Sequence, residues 1–282
     1  MNEVLIAHES LIRLSAFAGI FAVMAAWELL APRRALTVPK ALRWASNLGI
    51  VAIDTVIVRL LFPAAAVGIA AFAEARGWGL LNHFGVPGWA AVAIAVIALD
   101  FAIYLQHVMF HAVPALWRLH RMHHADLDFD VTTGARFHPI EIVLSMLIKF
   151  AVIVVLGAPV AAVIVFEVLL NATALFNHAN VRLPLAVDRM LRRLIVTPDM
   201  HRVHHSIRRD ETNSNFGFNL SLWDRLLGTY RAQPAAGHAA MTIGIPEFRE
   251  PGDCAALPGM LAIPFRDRPA PPAPPRGARA RT

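Results

Sequence analysis

Two segments of the chain place three histidines at the same spacing, His-x-x-His-His. These are His120, His123 and His124, and then His201, His204 and His205. With 13 histidines in 282 residues, one such pattern has a chance expectation on the order of 0.03 per chain. The repetition therefore needs a physical cause. Metal binding supplies one, because neutral imidazole is a good ligand for iron, zinc, copper and nickel.

Helical spacing offers a way for these side chains to meet at an ion. Positions i, i+3 and i+4 share a helix face, so each triplet is expected to converge on one point. A further pair lies one helical turn apart, and one more histidine stands in the stretch FNHAN. The candidate ligands, too many for one ion and better matched to two, are His107, His111, His120, His123, His124, His178, His201, His204 and His205.

A carboxylate and a tyrosine share a helical stripe with the first histidine pair. Asp100, Tyr104, His107 and His111 follow one another at i, i+4, i+7 and i+11. A metal-bound imidazole commonly donates its other N–H to a carboxylate or a carbonyl, so Asp100 or Asp199 is expected to accept such a bond. Asp100, Tyr104 and Asp199 are therefore candidate catalytic residues. For Asp100, a salt bridge with a basic residue is the alternative.

The remaining histidines are expected to play lesser parts. His138, in RFHPIE, could be a metal ligand, a hydrogen-bond donor that supports a ligand, or a helix-start residue before Pro139, and the supporting role is favoured. His8, His83 and His238 stand alone and are expected to take no part. The single cysteine, Cys254, excludes an intrachain disulfide and a cysteine-based zinc site.

The composition indicates an integral membrane protein. Hydrophobic residues make up 57% of the chain and charged residues 16%, against about 25% charged in a typical soluble domain. The formal net charge is +6. We attribute it to basic loops that orient a membrane protein and not to a surface that binds nucleic acid. We expect an all-α membrane bundle of about four to five apolar helices with a histidine-rich helical cap.

Four apolar runs supply the expected spans. They cover residues 11–31, 47–73, 88–106 and 141–176, and Gly157-Ala158-Pro159 divides the last into a predicted helical hairpin. No signal peptide is expected, because most of the positive charge follows the first run.

Loop charges predict an orientation. Loop 32–46 carries four Lys or Arg residues and loop 74–87 carries one, so the first is expected to be cytoplasmic. All the histidine-dense segments then lie on the cytoplasmic face, which in a bacterium is that of the inner membrane. Residues 268–282 are almost entirely Pro, Ala and Arg and are expected to form a flexible tail.

The histidine segments resemble a known family. HVMFH (107–111), HRMHH (120–124) and HRVHH (201–205) are similar to the histidine boxes of the fatty acid hydroxylase/sterol desaturase superfamily, and NSNFGFNLSLWDRLLGTY resembles its closing segment. The resemblance covers residues 95–232. It implies N-terminal transmembrane helices at 1–94, a catalytic domain at 95–232 and a C-terminal segment at 233–282.

The resemblance also implies a chemistry. Its members hold a non-haem di-iron centre, and by position the nine histidines would bind two iron ions, which zinc can replace. They use O2 and electrons from a separate donor, such as a ferredoxin or a cytochrome b5-like reductase chain. The substrate would be a lipid from the bilayer (a sterol, fatty acyl or carotenoid-like molecule) that is hydroxylated or desaturated.

One position departs from the family pattern. Relatives that hydroxylate fatty acyl chains have a further histidine four residues after the one matched by His178, where this chain has Arg182. Asn180 could supply a ligand there or leave a site open.

Three other functions remain as alternatives. A membrane zinc-dependent hydrolase would use histidines but needs fewer of them, and His-Glu-x-x-His is absent from the sequence. A metal-binding or transport protein should carry its ligands near the middle of its spans. A b-type haem protein needs histidines inside facing membrane helices.

Overall fold

The computed structural model describes residues 2–269, so the predicted tail at 268–282 lies almost wholly outside the described residues. Between residues 2 and 269 the chain is helical, with isolated β-bridges and no strand, as expected. Five segments are long and apolar enough to cross a membrane: Leu5–Leu30, Lys40–His83, Gly88–Ala112, Pro139–Leu156 and Val160–Asn177.

The α-helices are, in chain order, α1 (Asn2–Leu30), α2 (Lys40–Leu61), α3 (Ala65–Ala75), α4 (Leu80–His83), α5 (Gly88–Ala112), α6 (Pro114–His124), α7 (Pro139–Leu156), α8 (Val160–Asn177), α9 (Leu185–Leu191), α10 (Pro198–His204), α11 (Arg209–Thr212), α12 (Leu222–Leu226), α13 (Gly237–Ala240), α14 (Pro251–Cys254) and α15 (Leu257–Ala262). Short 3₁₀ turns cover Thr133–Ala135 and Ile263–Phe265.

The second apolar run is two helices rather than the single span predicted at 47–73. Helix α2 ends at Leu61 and α3 begins at Ala65, with Pro63 between them. Proline lacks the N–H that a continuing helix needs, and its ring collides with the preceding turn. The first helix also begins earlier than the predicted residue 11, because the more polar residues that precede the apolar run form the first turns of the same helix.

The predicted hairpin at 141–176 is confirmed as α7 and α8. Gly157 ends α7 with a left-handed φ of 65°, and Pro159 precedes α8. The turn packs closely against residues 78–82, where a side chain on Gly79 would overlap the Gly157 backbone. This contact closes the end of the bundle opposite the histidines.

Chain breaks at prolines bring the histidine segments to one end of the bundle. Helix α5 stops at Ala112, and Pro114 starts α6 in a new direction. The loop between α1 and α2 lies at the same end, since Glu28 Oε1 accepts the backbone N–H groups of Val131 and Asn180, each at 2.7 Å. This loop is shorter than the predicted 32–46, because α2 begins at Lys40. The loop and the histidines therefore share one face.

A buried ionic network fixes the loop that follows α6. Arg43 of α2 forms ion pairs with Asp126, at 2.8 Å, and with Asp130. Burial alone would raise the pKa of Asp126, but the guanidinium groups of Arg43 and Arg136 outweigh it and lower the pKa to about 2. The network ties α2 to the segment that orients α6 and its histidines.

Candidate metal centre

The nine predicted ligands gather into two adjacent clusters, and within each cluster the nitrogen atoms all lie within 4.8 Å of one another. Site 1 consists of His107, His111, His120, His124 and His204. Site 2 consists of His123, His178, His201 and His205. Eight of these side chains are buried and His111 is partly buried.

The expectation that each triplet converges on one point is wrong. His120 and His124 enter site 1, but His123 between them enters site 2. In the other triplet His201 and His205 enter site 2, and His204 enters site 1. Residues four apart point in nearly the same direction, whereas adjacent residues point about 100° apart around the helix. Each His-His doublet therefore contributes one ligand to each site.

The inner nitrogens of the clusters face one another closely. In site 1, His107 Nε2 lies 3.2 Å from His120 Nε2, and His111 Nε2 lies 3.1 Å from His124 Nε2. In site 2, His178 Nε2 lies 3.3 Å from His123 Nε2 and 3.0 Å from His201 Nε2.

The outer nitrogens are held by fixed acceptors. Backbone carbonyl oxygens accept from Nδ1 of four histidines: His107 to Phe216 at 2.7 Å, His123 to Arg136 at 3.1 Å, His178 to Ala174 at 2.8 Å and His204 to Ser214 at 2.8 Å. Because a carbonyl can only accept, the proton sits on Nδ1 and the lone pair of Nε2 points inward.

Glu141, which sequence reasoning missed, provides the carboxylate at the centre. Its Oε1 accepts from His120 Nδ1 at 2.6 Å, and the residue is 4% exposed. A carboxylate behind an imidazole raises its basicity and fixes its orientation. Glu141 lies in RFHPIE, on the first turn of α7, so only the fold brings it to His120.

These features fit a bound cation. Lone pairs of His107 and His120, and of His123 and His178, face each other without a proton between them. His204 Nε2 and both nitrogens of His205 are buried without a hydrogen-bond partner. Burial lowers the pKa of His178 to about 3. It also lowers the pKa well below the ordinary value for His123, His124, His201, His204 and His205. Neutral imidazole is the form that binds metal.

Two of the candidate catalytic residues hold the closing segment, not a histidine. Asp100 accepts from the indole N–H of Trp223 at 2.8 Å and from two backbone N–H groups at 3.3 Å. Tyr104 Oη lies 2.9 Å from Thr229 Oγ1. Both tie α5 to residues 216–229, which supply the Phe216 carbonyl to His107. The alternative of a salt bridge from Asp100 to a basic residue is also not found among the described residues.

The third candidate, Asp199, anchors α10. It pairs with Arg33 at 3.0 Å and with Arg202, and His238 Nε2 lies 3.7 Å away. No described hydrogen bond joins Asp199 or Asp100 to any of the nine clustered histidines, so the expectation that one of them accepts from a ligand is not met.

Three further positions also lie outside the clusters. His138, expected to support the centre, caps α7 instead: its Nδ1 accepts from Ile140 N at 3.2 Å. Asn180 exchanges hydrogen bonds with the backbone of Arg34, at 3.1 and 2.8 Å. The backbone of Arg182 donates to Ala31 O. The position where the family pattern has a histidine therefore fastens the loop between α1 and α2.

A cavity of about 480 Å³ runs from site 1 into the bundle. His107, His120 and Glu141 line its inner end. Apolar side chains line much of the rest, among them Phe17, Phe62, Met146 and Leu170, together with charged and polar side chains from α1, α2, α7 and α8. Leu14 also lines it and is 65% exposed, so the cavity opens on the side of the bundle. Its volume is in the range of small-molecule sites, roughly 300–1,000 Å³.

The described residues form an all-helical bundle with helices of membrane-spanning length and two buried histidine clusters that could each hold a metal ion. Residues 92–229 match the family model described as fatty acid hydroxylase. Over this region the chain is similar to the fatty acid hydroxylase superfamily, the family that the histidine boxes resemble.

Curated relatives agree with this assignment. The chain is 31% identical over 159 residues to ornithine lipid hydroxylase OlsE of Rhizobium tropici, covering 54% of this chain and 46% of that protein. It is 29% identical over 144 residues to human alkylglycerol monooxygenase, covering 49% and 30%. It is 29% identical over 156 residues to fatty acid hydroxylase vlmA of a Lecanicillium species, covering 50% and 42%.

The matched region spans less than half the length of each of these relatives. No solved structure matches the chain.

Proposed function

We propose that the chain is a membrane lipid hydroxylase whose sites 1 and 2 each hold one iron ion. One observation carries the proposal. Nine histidines from four separate segments form a cluster of five and a cluster of four, and each His-His doublet contributes one histidine to each cluster. The names of the relatives, lipid hydroxylases and monooxygenases, support the same activity. When bound, the iron pair supplies activation of O2 and oxidation of an unactivated C–H bond.

The protein's own residues supply orientation and exclusion of water. Backbone carbonyls and Glu141 fix the imidazoles, so that the ligand set is assembled before metal binds. The cavity beside site 1 holds a lipid that enters from the side of the bundle, and its apolar wall keeps water from the reacting carbon. One oxygen atom of O2 enters the lipid and the other leaves as water, with electrons and protons from outside.

Other roles belong to the same proposal. Asp100, Tyr104 and Asp199 act as positioning residues, because each fixes an element that carries a ligand or its acceptor. Residues 95–232 form the catalytic domain, with residues 1–94 and 233–282 flanking it. The histidine face is cytoplasmic, and a separate electron donor, a ferredoxin or a cytochrome b5-like chain, docks there.

Isotopically labelled O2 tests the proposed function. The iron-loaded protein in membranes with native lipids and a ferredoxin–reductase pair should produce a lipid with one labelled oxygen atom, and His124→Ala should abolish this product. Desaturation would instead give a lipid without label and with one more double bond. A product whose new oxygen comes only from water would contradict the proposal and indicate a hydrolase.

A further inference from the structure

Three of the charged side chains that line the cavity form ion pairs with one another, and Arg59 donates to Ser10 Oγ at 3.1 Å. Glu167 of α8 lies 3.1 Å from Arg13 of α1 and 2.9 Å from Lys149 of α7, and all three line the cavity. Such a triad holds three membrane helices together without any ligand. These residues therefore have a sufficient structural role.

Asp54 of α2 is different. It lines the same cavity and is 8% exposed, yet no hydrogen bond or ion pair is found for it among the described residues, and its Oδ1 is wholly buried without a partner. An unpaired carboxyl group within a membrane-spanning segment is costly and commonly marks a functional site. A molecule bound in the cavity could supply the hydrogen-bond donor that Asp54 lacks.

Two more acceptor atoms share this wall. Glu141 uses Oε1 to bind His120, but its Oε2 is buried without a partner. Gln106, next to His107, donates through Nε2 to Ser145 Oγ at 2.8 Å, and its Oε1 is also unpartnered. Asp54 and Glu141 line the same cavity. The cavity therefore presents acceptors beside site 1 that lack donors.

We propose that Asp54, Gln106 and Glu141, here called the acceptor wall, bind a hydrogen-bond-donating headgroup of the lipid substrate, a hydroxyl or an ammonium group. Because Glu141 also holds His120, a headgroup bound there lies next to site 1. Oxidation then occurs close to the headgroup, not far along an acyl chain, and the apolar remainder of the cavity holds the tail. This inference rests on the proposed lipid hydroxylase function.

Binding of matched lipids to the full chain in nanodiscs, without an electron donor, tests the acceptor wall. The probes share a hexadecyl tail: a glycerol ether with free hydroxyls, the same ether with both hydroxyls methylated, and hexadecylamine. The wild type should bind the free ether or the amine about tenfold more tightly than the methylated ether, as expected for the hydrogen bonds that the methylated ether cannot donate.

Variants assign the preference to residue 54. Asp54→Leu should abolish the preference. Asp54→Asn, which keeps the shape and one acceptor oxygen, should weaken binding of hexadecylamine about tenfold and that of the free ether less. Thr55→Val is the matched control, because the Thr55 hydroxyl already donates to Val51 O at 2.7 Å, and it should keep the wild-type preference.

Two results would overturn the inference: equal binding of all three probes by the wild type, or an unchanged preference in both Asp54 variants. Iron content and lipid oxidation are read separately. Iron-loaded protein that oxidises lipid without any headgroup preference refutes the acceptor wall alone. Protein that shows the preference but has no iron site refutes the proposed function and leaves the headgroup site in place.

Discussion

At the scale of single residues, the His-His doublets explain why two sites lie side by side. His123 and His124 point to different clusters, as do His204 and His205. The repeated His-x-x-His-His spacing therefore contributes to both clusters. Its first and last histidines lie in one cluster, and the middle histidine lies in the other.

Alanine variants should separate the sites across the two triplets. His124→Ala and His204→Ala each remove a ligand of site 1, and His123→Ala removes one of site 2. Each variant should lose about half of the bound iron, and the Mössbauer spectra of the first two should match each other and differ from the third. Exposed His83→Ala is the control and should keep full iron. Matching spectra for His123→Ala and His124→Ala would contradict the assignment.

The sequence was enough to predict that these nine histidines gather, but it did not predict how they divide between two clusters. Helical spacing allows the three histidines of a triplet either to meet at one cluster or to divide between two. The packing of α5, α6, α8 and α10 determines which of these occurs. Glu141 was missed because it lies 21 positions from the histidine it contacts. Asp100 shares a helical stripe with His107, but its carboxylate accepts hydrogen bonds from N–H groups of the closing segment instead.

His238 should make stability depend on pH. Burial and the nearby arginines lower its pKa to about 4, although Asp199 partly opposes this. The ordinary pKa is about 6.5. Between these values the unfolded chain binds a proton that the folded chain does not, so stability falls as the pH falls from 6.5 towards 4.

His238→Asn should remove about 1–2 kcal/mol of this loss, after allowance for partial solvent contact. The readout is the thermal unfolding midpoint in detergent between pH 7 and 4.5, where His238→Asn should decline less steeply than the wild type. His83→Asn, at an exposed position, should keep the wild-type slope. Identical slopes for His238→Asn and the wild type would refute the assignment.

At the scale of the elements, prolines and glycines decide where the helices turn. Pro114 ends α5 beside the centre, and Gly157 and Pro159 turn the α7–α8 hairpin as expected. Pro63 likewise separates α2 from α3. The prediction of a single span at 47–73 followed the apolar composition and did not take this proline as a helix break. The short α9–α15 carry no strong periodicity, and long-range contacts fix them.

The tight contact at the hairpin turn can be tested with two glycines. Gly157 and Gly85 both have positive φ, at 65° and 58°, but only a side chain on Gly157 would meet neighbouring atoms. Gly85→Ala should cost about 1 kcal/mol from backbone strain. Gly157→Ala should cost about 3 kcal/mol, since it adds overlap with Trp78 O. Thermal unfolding in detergent measures both, and equal destabilisation would contradict the packing.

At the scale of the whole molecule, one face holds the histidine clusters, the basic loop between α1 and α2, and the ends of α1, α5 and α8. The contacts of Glu28 and Arg33 with the histidine segments hold these parts together. The charge asymmetry of the loops, read from the sequence, predicts the same arrangement. Apolar composition and loop charge were enough to predict it. The lateral cavity was not predictable, because its lining comes from seven separate α-helices.

Cysteine labelling should place this face in the cytoplasm. Arg209→Cys, exposed beside the histidines, should react with an impermeant maleimide only in inverted membrane vesicles. Phe84→Cys, exposed at the opposite end, should react only in intact cells. The native Cys254 is buried and serves as the unlabelled background. The reverse pattern would place the centre outside.

Iron content together with Mössbauer spectroscopy, on protein grown in isotopically enriched iron, tests the central claim most directly. Two occupied clusters with both His-His doublets shared between them should give two irons per chain in a spin-coupled pair. One zinc per chain, with no iron that can be reconstituted, would contradict the account.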